Sequence, residues 1–384
     1  MIITRRTLGA SAAALGLATS AGLAQAQALI KIGGLYELSG AGASAGTNFK
    51  NGVDMAVKEI NAAGGVLGKK IEHSISDTQS NPGVAKGLAT KAIDDGAFAV
   101  FGPVFSGSIM VSMAETKRAE VPNFTGGEAA SITKQGNPYI FRTSFTQDTA
   151  MPKVARYIAN GLKAKTVALI YVNNDFGKGG RDAITKALAD LGVKVAADIS
   201  TDSGQVDFSA PVLKAKQSNA DAIFVYTNEE ESARALRELR KQGVSKPIVG
   251  ETTLTGQKVI ELAGDAANGA IAHVGLTVDA PNPLMLKFKA NFYQNYKYIS
   301  DHNGIKGYTG VYLMKAAIEK VGKLDKVAVA KALHGLSVSA AKVPGVIMDV
   351  SVDNNGDLDR ESFMVQVKDG KQVVKEVLPA LAKK

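Results

Sequence analysis

Ser106, Gly107 and Ser108 are the residues whose type and spacing most clearly suggest a binding chemistry. They follow a short apolar segment at 98–102 and begin a stretch with helical character at 106–119. The first amide groups of a helix lack partners within the helix, and the helix dipole adds partial positive charge there, which favours an anion. A serine that simply caps the helix would give the same pattern. The segment therefore predicts an anion site, with a plain helix cap as the alternative.

Patterns that would indicate an enzyme or a metal site are incomplete in this sequence. The nucleophile-elbow motif and the phosphate-binding glycine–lysine motif do not occur. Gly40, Gly42 and Gly46 follow the first predicted strand, but their spacing is one residue wider than the dinucleotide-binding fingerprint. The four histidines are not spaced as metal ligands, and cysteine is absent. We therefore predict that the protein is not an enzyme and has neither a cofactor nor a metal site.

The elements that must position the binding residues form two series of alternating strands and helices. Short apolar, β-branched segments predict strands at 29–36, 70–77, 98–102, 121–124, 166–171, 194–199, 222–227 and 247–250. Helical patterns lie between them, at 47–63, 82–95, 106–119, 151–160, 177–191, 208–218 and 229–242. Such alternation is typical of parallel sheets with helices on both faces. Because it runs twice, we predict an α/β fold with two doubly wound parallel-sheet lobes.

The last hundred residues predict further helices at 283–333 and then a β-hairpin at 362–377. Asp369 and Gly370 form the predicted hairpin turn, because both residue types accept the positive φ that a tight turn requires. Ligands of doubly wound sheets bind beyond the carboxyl ends of the strands. We therefore expect the binding residues in the turns that follow the predicted strands.

Composition limits the partners of this chain. It has 384 residues, a formal net charge of +9 and no tryptophan. Its lysines are scattered and no arginine-rich run occurs, so we expect the charge to serve solubility and predict no nucleic-acid partner.

Residues 1–28 have the order of a secretory signal. Arg5 and Arg6 precede an uncharged Ala/Gly-rich run, and small residues suited to cleavage follow at Ala24, Ala26 and Ala28. The paired arginines also resemble a twin-arginine export signal. We predict export to the periplasm with removal of this segment, and no lipid anchor, because no cysteine is present to carry one.

Several turns together resemble one known family. The segments IKIGGLYELSGAGASAG, EINAAGGVLGKKIE, GPVFSGS, VALIYVNNDFGKG, FSAPVLKAK, LAGDAANG and VDNNGDL are similar to those of leucine/isoleucine/valine-type substrate-binding proteins of ABC importers, which have the type I periplasmic binding protein fold. The resemblance covers residues 29 to about 380, and INAAGGVLGK is its most specific part.

The resemblance implies two lobes that are joined by a three-crossover hinge and close on one ligand. We expect the crossovers near 141–143, 274–277 and 346–352. Lobe 1 would then comprise residues 29–142 with 277–348, and lobe 2 residues 143–276 with 349–384. We expect a monomer.

In lobe 1, the resemblance implies that Ser106 and backbone amides hold the ligand carboxylate. The amides would come from the turns at Gly107 and at Gly127, Glu128 and Ala129. Relatives often have threonine where Ala129 falls, and an aromatic residue where Ala45 falls. Both replacements enlarge the pocket or make it less polar.

In lobe 2, the resemblance implies that Phe176 covers the ligand and that Glu251 binds an ammonium group, with Asn228 and Glu229 in the preceding turn. The alternatives are a core phenylalanine at Phe176 and a solvated loop acid at Glu251. A carboxylate in a closed cleft must be paired or neutralised, because burying a lone charge is costly. Glu251 in the cleft would therefore indicate a cationic group on the ligand.

The function that the resemblance implies is a periplasmic substrate-binding protein of an ABC importer. It would capture a small amino-acid-like or carboxylate-bearing ligand and deliver it to the membrane permease. A ligand-sensing receptor for a membrane signalling protein is one alternative. A binder of aromatic or aliphatic acids or of amides is the other.

Overall fold

The computed structural model describes residues 29–380 and contains two large sheets with helices packed around them. The strands are β1 Ile30–Tyr36, β2 Ile71–Asp77, β3 Ala99–Phe101, β4 Asn123–Thr125, β5 Ile140–Arg142, β6 Thr166–Val172, β7 Lys194–Thr201, β8 Ala222–Tyr226, β9 Ile248–Gly250, β10 Ile271–Val274, β11 Ser337–Val338, β12 Val350–Val352, β13 Leu358–Asp359, β14 Ser362–Lys368 and β15 Lys371–Leu378. The helices are α1 Ala43–Ala62, α2 Pro82–Asp94, α3 Ser106–Arg118, α4 Gln147–Arg156, α5 Asp175–Ala189, α6 Ser209–Gln217, α7 Glu229–Lys241, α8 Gln257–Ala263, α9 Pro283–Tyr296, α10 His302–Val321 and α11 Lys326–Leu333.

The first sheet has the order β2-β1-β3-β4-β5, and all of its strands are parallel. The strands β3, β4 and β5 are buried along their whole length, as expected when helices cover both faces of a parallel sheet. Helices α1, α9 and α10 share one apolar core with this sheet. The sheet and these helices form the first lobe.

The second sheet has the order β15-β14-β10-β9-β8-β6-β7. Its five strands from β6 to β10 are parallel, whereas β14 and β15 pair antiparallel at one edge. Asp369 and Gly370 have φ angles of 50° and 72°, so the predicted hairpin turn is confirmed. The α/β fold with two doubly wound lobes is likewise confirmed.

The strand pairing near the predicted third crossing bears on where the chain passes between the lobes. The predicted segment 346–352 includes β12, which pairs with β11 and β13 in a separate three-stranded sheet. Val350 and Val352 also belong to an apolar cluster that contains α1 and α10 and continues into β10 and β14 of the second sheet. We therefore propose that the chain crosses at residues 360–361, between β13 and β14, and that the first lobe extends to Asp359. The other two crossings would follow β5 and β10.

Helix α1 begins at Ala43, four residues before its predicted start. A 3₁₀ turn at Gly40–Gly42 leads directly into it, and no side chain caps the helix. The sequence therefore lacks the capping signal that would have marked the true start.

Glycine at position 52 allows α1 and α10 to approach closely. A Cβ atom on Gly52 would lie 1.9 Å from the carbonyl oxygen of Gly304, which is backbone and cannot rotate away. We expect Gly52→Ala to lower the free energy of unfolding by about 1–3 kcal/mol, the usual cost of overpacking a core. The matched control is Gly87→Ala on α2, where no atom lies within 4 Å of the added carbon. Denaturant unfolding should show that this control is neutral or more stable, because alanine is the better helix former. Equal stability of the two variants would contradict the prediction.

Candidate functional site

A cavity of about 170 Å³ lies between the lobes, at the carboxyl ends of the strands of both sheets. The turns after β3 and β4 line it from the first lobe, and the turns after β6, β7, β8 and β9 line it from the second. The structure brings seven of the nine predicted site residues to its wall: Ser106, Gly107, Gly127, Glu128, Phe176, Asn228 and Glu229. Ala129 and Glu251 are buried nearby but do not line the cavity.

The start of α3 faces the cavity with polar groups that have no partner among residues 29–380. Phe105 occupies the N-cap position and no side chain caps the helix, so Ser106 is the first helical residue and not the cap. The hydroxyl of Ser108 also lies on the cavity wall and is buried, and no described residue hydrogen-bonds to it. Uncapped amides and an unpaired hydroxyl are groups that a bound anion would satisfy.

Glu37 holds the loop in front of α3. Its carboxylate accepts hydrogen bonds from the backbone N–H groups of Val104 and Phe105, each at 3.0 Å. Burial raises the pKa of Glu37 to about 7, against the lowering effect of these two hydrogen bonds. No local pattern indicates this role, because Glu37 and the loop are about 67 residues apart.

Ala129 has a structural place in the site. Its N–H donates to the Ser106 hydroxyl at 3.3 Å, and its side chain packs with Ile109 and Ile132. The backbone amide that was expected to contact a ligand thus already has a partner. Ala129 therefore helps to hold the Ser106 hydroxyl in position through this hydrogen bond.

Arg142 fixes the turn that contains Gly127 and Ala129. Its guanidinium donates to Gly127 O at 2.6 Å and to Ala129 O at 3.0 Å. It also forms a 2.6 Å ion pair with Asp357, and its side chain is fully buried. Arginine presents several donors in a rigid fork, which suits it to hold two carbonyls and a carboxylate together.

Phe176 lies at the cavity wall on the second lobe. Its ring stacks on that of Tyr226, with centroids 4.1 Å apart and planes inclined by 27°. The side chain is only partly buried and lines the cavity. This placement gives an apolar surface on which a ligand could rest.

Of the acids predicted in the second lobe, Glu229 reaches the cavity and Glu251 does not. Glu229 Oε1 accepts from the Asn303 side chain at 3.2 Å, and burial raises the pKa of Glu229 to about 8. Asn228 caps α7 in a reciprocal arrangement with Glu231. Glu251 Oε1 instead accepts from Thr252 Oγ1 at 2.6 Å and pairs with His273 Nδ1 at 3.1 Å.

The first turns of α10 also line the cavity, with residues that no sequence pattern indicated. His302, Asn303 and Lys306 all line it. The Lys306 ammonium donates to Glu128 Oε1 at 3.0 Å and to the carbonyl of Gly126 at 3.3 Å, and only 3% of the residue is exposed. Their spacing is that of an ordinary helix face. The one feature in the sequence that could have indicated a site is a lysine at position 306, where an apolar residue would be expected.

Charges within the site are unevenly distributed. Burial and the neighbouring Glu251 raise the pKa of Glu128 to about 7, although Lys306 opposes the shift. Burial lowers the pKa of His273 to about 3, so this imidazole is neutral.

Within residues 29–380 no helix is long and apolar enough to cross a membrane, and no acid or histidine cluster suits a metal ion.

Known proteins share this architecture along nearly the whole chain. A sequence profile described as "Periplasmic binding protein" matches residues 29–372. The chain is 30% identical over 340 residues to a Leu/Ile/Val-binding protein of Rhizobium johnstonii, covering 88% of this chain and 91% of the relative. It is 28% identical over 360 residues to a leucine-, isoleucine-, valine-, threonine- and alanine-binding protein of Pseudomonas aeruginosa, covering 92% and 93% of the two chains.

Solved structures agree with the sequence comparison. A branched-chain amino acid transporter substrate-binding protein of Streptococcus pneumoniae, in complex with isoleucine, superposes with a TM-score of 0.84 at 26% identity, covering 92% of this chain and all of that one. A solute-binding protein of an R. palustris ABC transporter, in complex with benzoate, gives a TM-score of 0.85 at 21% identity, covering 93% and 98%. The latter likeness shows the fold alone. This chain belongs to the periplasmic binding protein family.

Proposed function

We propose that this protein captures a small amino-acid-like or carboxylate-bearing ligand between its lobes and delivers it to the permease of an ABC importer. The observation that carries the proposal is the interlobe cavity with the uncapped start of α3 and the unpaired Ser108 hydroxyl on its wall. These groups suit a carboxylate. The relatives named for binding branched-chain amino acids support the amino-acid-like class.

The second candidate ligand is an aromatic or aliphatic acid without an amine. Glu251, which was expected to bind an ammonium group, lies outside the cavity wall and contacts Thr252 and His273 instead. Phe176 offers an aromatic surface in the same cavity. Calorimetry with L-isoleucine and with 4-hydroxybenzoate separates the two classes directly.

We further propose that the ligand is bound without being chemically changed and that the protein acts in the periplasm. Export would remove the residues up to Ala26 or Ala28, which lie outside the described residues. N-terminal sequencing of the secreted protein tests the export, and mass spectrometry of the recovered ligand tests the absence of turnover.

Ser106→Ala should weaken binding of either ligand class. The hydroxyl lies at the first position of α3 on the cavity wall, and a hydrogen bond to a charged group contributes about 1.5–3 kcal/mol. The affinity measured by calorimetry should therefore fall by roughly tenfold or more.

The matched control is Ser112→Ala on the same helix. Ser112 is buried, donates to the carbonyl of Ile109 and is not part of the cavity wall. It should leave the affinity unchanged. If both variants bind equally well, Ser106 does not hold the ligand and the carboxylate site is misplaced.

A further inference from the structure

Two adjacent acids at the start of α7 connect the second lobe to the first. Glu229 Oε1 accepts from the Asn303 side chain of α10 at 3.2 Å, and Glu230 Oε1 accepts from the Ser44 hydroxyl of α1 at 2.5 Å. Glu229 and Asn303 line the cavity, whereas Ser44 and Glu230 are not part of its wall. The hydrogen bond between Ser44 and Glu230 therefore joins the lobes beside the cavity without being part of it.

The Glu230 carboxylate has a single hydrogen-bond donor among residues 29–380. Its Oε1 accepts from Ser44, and its Oε2 is buried with no described partner. The first turn of α7 contributes three acids, Glu229, Glu230 and Glu231, and no cation. Water would solvate both carboxylate oxygens if the lobes were apart. Closing the lobes thus removes water from this carboxylate and leaves it one hydroxyl as donor.

These two changes at Glu230 have opposite effects on closure. A hydrogen bond to a charged group stabilises the state that contains it, whereas a buried carboxylate oxygen without a donor destabilises that state. The Ser44 hydroxyl therefore offsets part of the desolvation that closure imposes on Glu230. None of the other described residues replaces it, because Ser44 is the one side chain that donates to this carboxylate.

We propose that Ser44 and Glu230 form an interlobe clasp, present only in the closed protein, that sets the rate at which the ligand is released. This inference rests on the proposed function, because it needs a ligand that closes the lobes. As the lobes open, α1 and α7 separate and water replaces the Ser44 hydroxyl at the carboxylate. The clasp acts on this opening step, so it changes ligand dissociation more than association.

Substitutions of the two partners should not be equivalent. Ser44→Ala leaves the Glu230 carboxylate buried without a described donor, so the ligand should dissociate roughly tenfold faster. Glu230→Ala removes the carboxylate itself. In the double variant of Ser44→Ala and Glu230→Ala, closure therefore no longer leaves a charged group of this pair unsatisfied. Dissociation from the double variant should be several times slower than from Ser44→Ala alone, which is the coupling expected of direct partners.

The dissociation rate is measured by releasing isotope-labelled L-isoleucine or 4-hydroxybenzoate into an excess of the unlabelled compound. Thr47→Val is the matched control, because Thr47 lies one turn further along α1, lines the same surface groove as Ser44, and has no described hydrogen bond through its hydroxyl. It should release the ligand at the unsubstituted rate. Thermal unfolding of ligand-free Ser44→Ala should match that of the unsubstituted protein, because the clasp is absent when the lobes are open.

Equal dissociation rates in Ser44→Ala and the unsubstituted protein would overturn the clasp and leave the proposed function intact. A double variant that releases ligand as fast as Ser44→Ala would overturn it as well, because Glu230 would then not be the partner.

Failure of both probes to bind would instead reject the proposed ligand classes. The clasp is then tested in the ligand-free protein that combines Ser44→Cys with Glu230→Cys, since the chain has no other cysteine. A short bismaleimide traps each closing event irreversibly, so a cross-link between the two positions should accumulate. If none forms, the lobes do not meet at this contact and the proposal is wrong.

Discussion

Replacing Arg142 with methionine should lower the free energy of unfolding by about 3–5 kcal/mol and should also weaken ligand binding. The substitution keeps the apolar stem but removes the donors to Gly127 O and Ala129 O and leaves Asp357 without its cation. Breaking a buried ion pair by removing one partner typically costs this much. The turn that carries Gly127 and Glu128 would lose its anchor, so the cavity wall would no longer be held in place.

The matched control for this prediction is Arg181→Met. Arg181 also forms ion pairs, with Asp182 and Asp198, but 36% of its side chain is exposed. Surface pairs of this kind contribute about 0–1 kcal/mol. Denaturant unfolding and calorimetric binding should therefore show a large loss for Arg142→Met and little for Arg181→Met. Similar losses in both variants would mean that Arg142 does not anchor the site.

Lys306→Met should be the second strongly destabilising substitution, with a loss of about 3–5 kcal/mol near neutral pH. The Lys306 ammonium lowers the pKa of each of the surrounding buried acids, Glu128, Glu229, Glu251 and Asp301. Without it, those pKa values rise further above their unfolded values. Methionine fills a similar volume, so the effect comes from charge more than from packing.

This loss should depend on pH in a defined direction. A carboxyl whose pKa is higher in the folded than in the unfolded chain lowers the free energy of unfolding as the pH rises above its unfolded pKa. This loss stops growing once the pH has passed the folded pKa. Burial already raises the pKa of Glu128 to about 7 and that of Glu229 to about 8. The difference in the free energy of unfolding between Lys306→Met and the unsubstituted protein should therefore be small near pH 5, because these acids are protonated in both folded proteins. It should be large near pH 8.

Lys315→Met on the same helix is the control for Lys306→Met. Lys315 pairs with Glu319 one turn away at a partly exposed position, so its removal should cost only a few tenths of a kcal/mol. Unfolding followed at about pH 5 and about pH 8 distinguishes the variants. A loss in Lys306→Met that stays the same at both values would show that the residue acts through packing.

The order of strands and helices could be predicted because it depends on local patterns. Parallel strands covered on both faces are continuously apolar, as in β6 and β8, and amphipathic helices lie between them. The hairpin of β14 and β15 followed from the Asp369-Gly370 turn in the same way. The later third crossing that we propose has no signal in the sequence, because β11 and β12 are short strands that have no distinct pattern of their own.

The sequence by itself also determined which turns line the cleft, since ligands of parallel sheets bind beyond the carboxyl ends of the strands. Only the tertiary structure decided which acid reaches the cavity. Glu229 and Glu251 both follow strands, but Thr252 and His273 hold Glu251 outside the cavity wall, whereas Glu229 lines it. Lys306 meets Glu128 across 178 residues of chain, and no local pattern records such a contact. The charge balance of the cleft is therefore a property of the folded chain, because burial and distant partners determine which groups ionise.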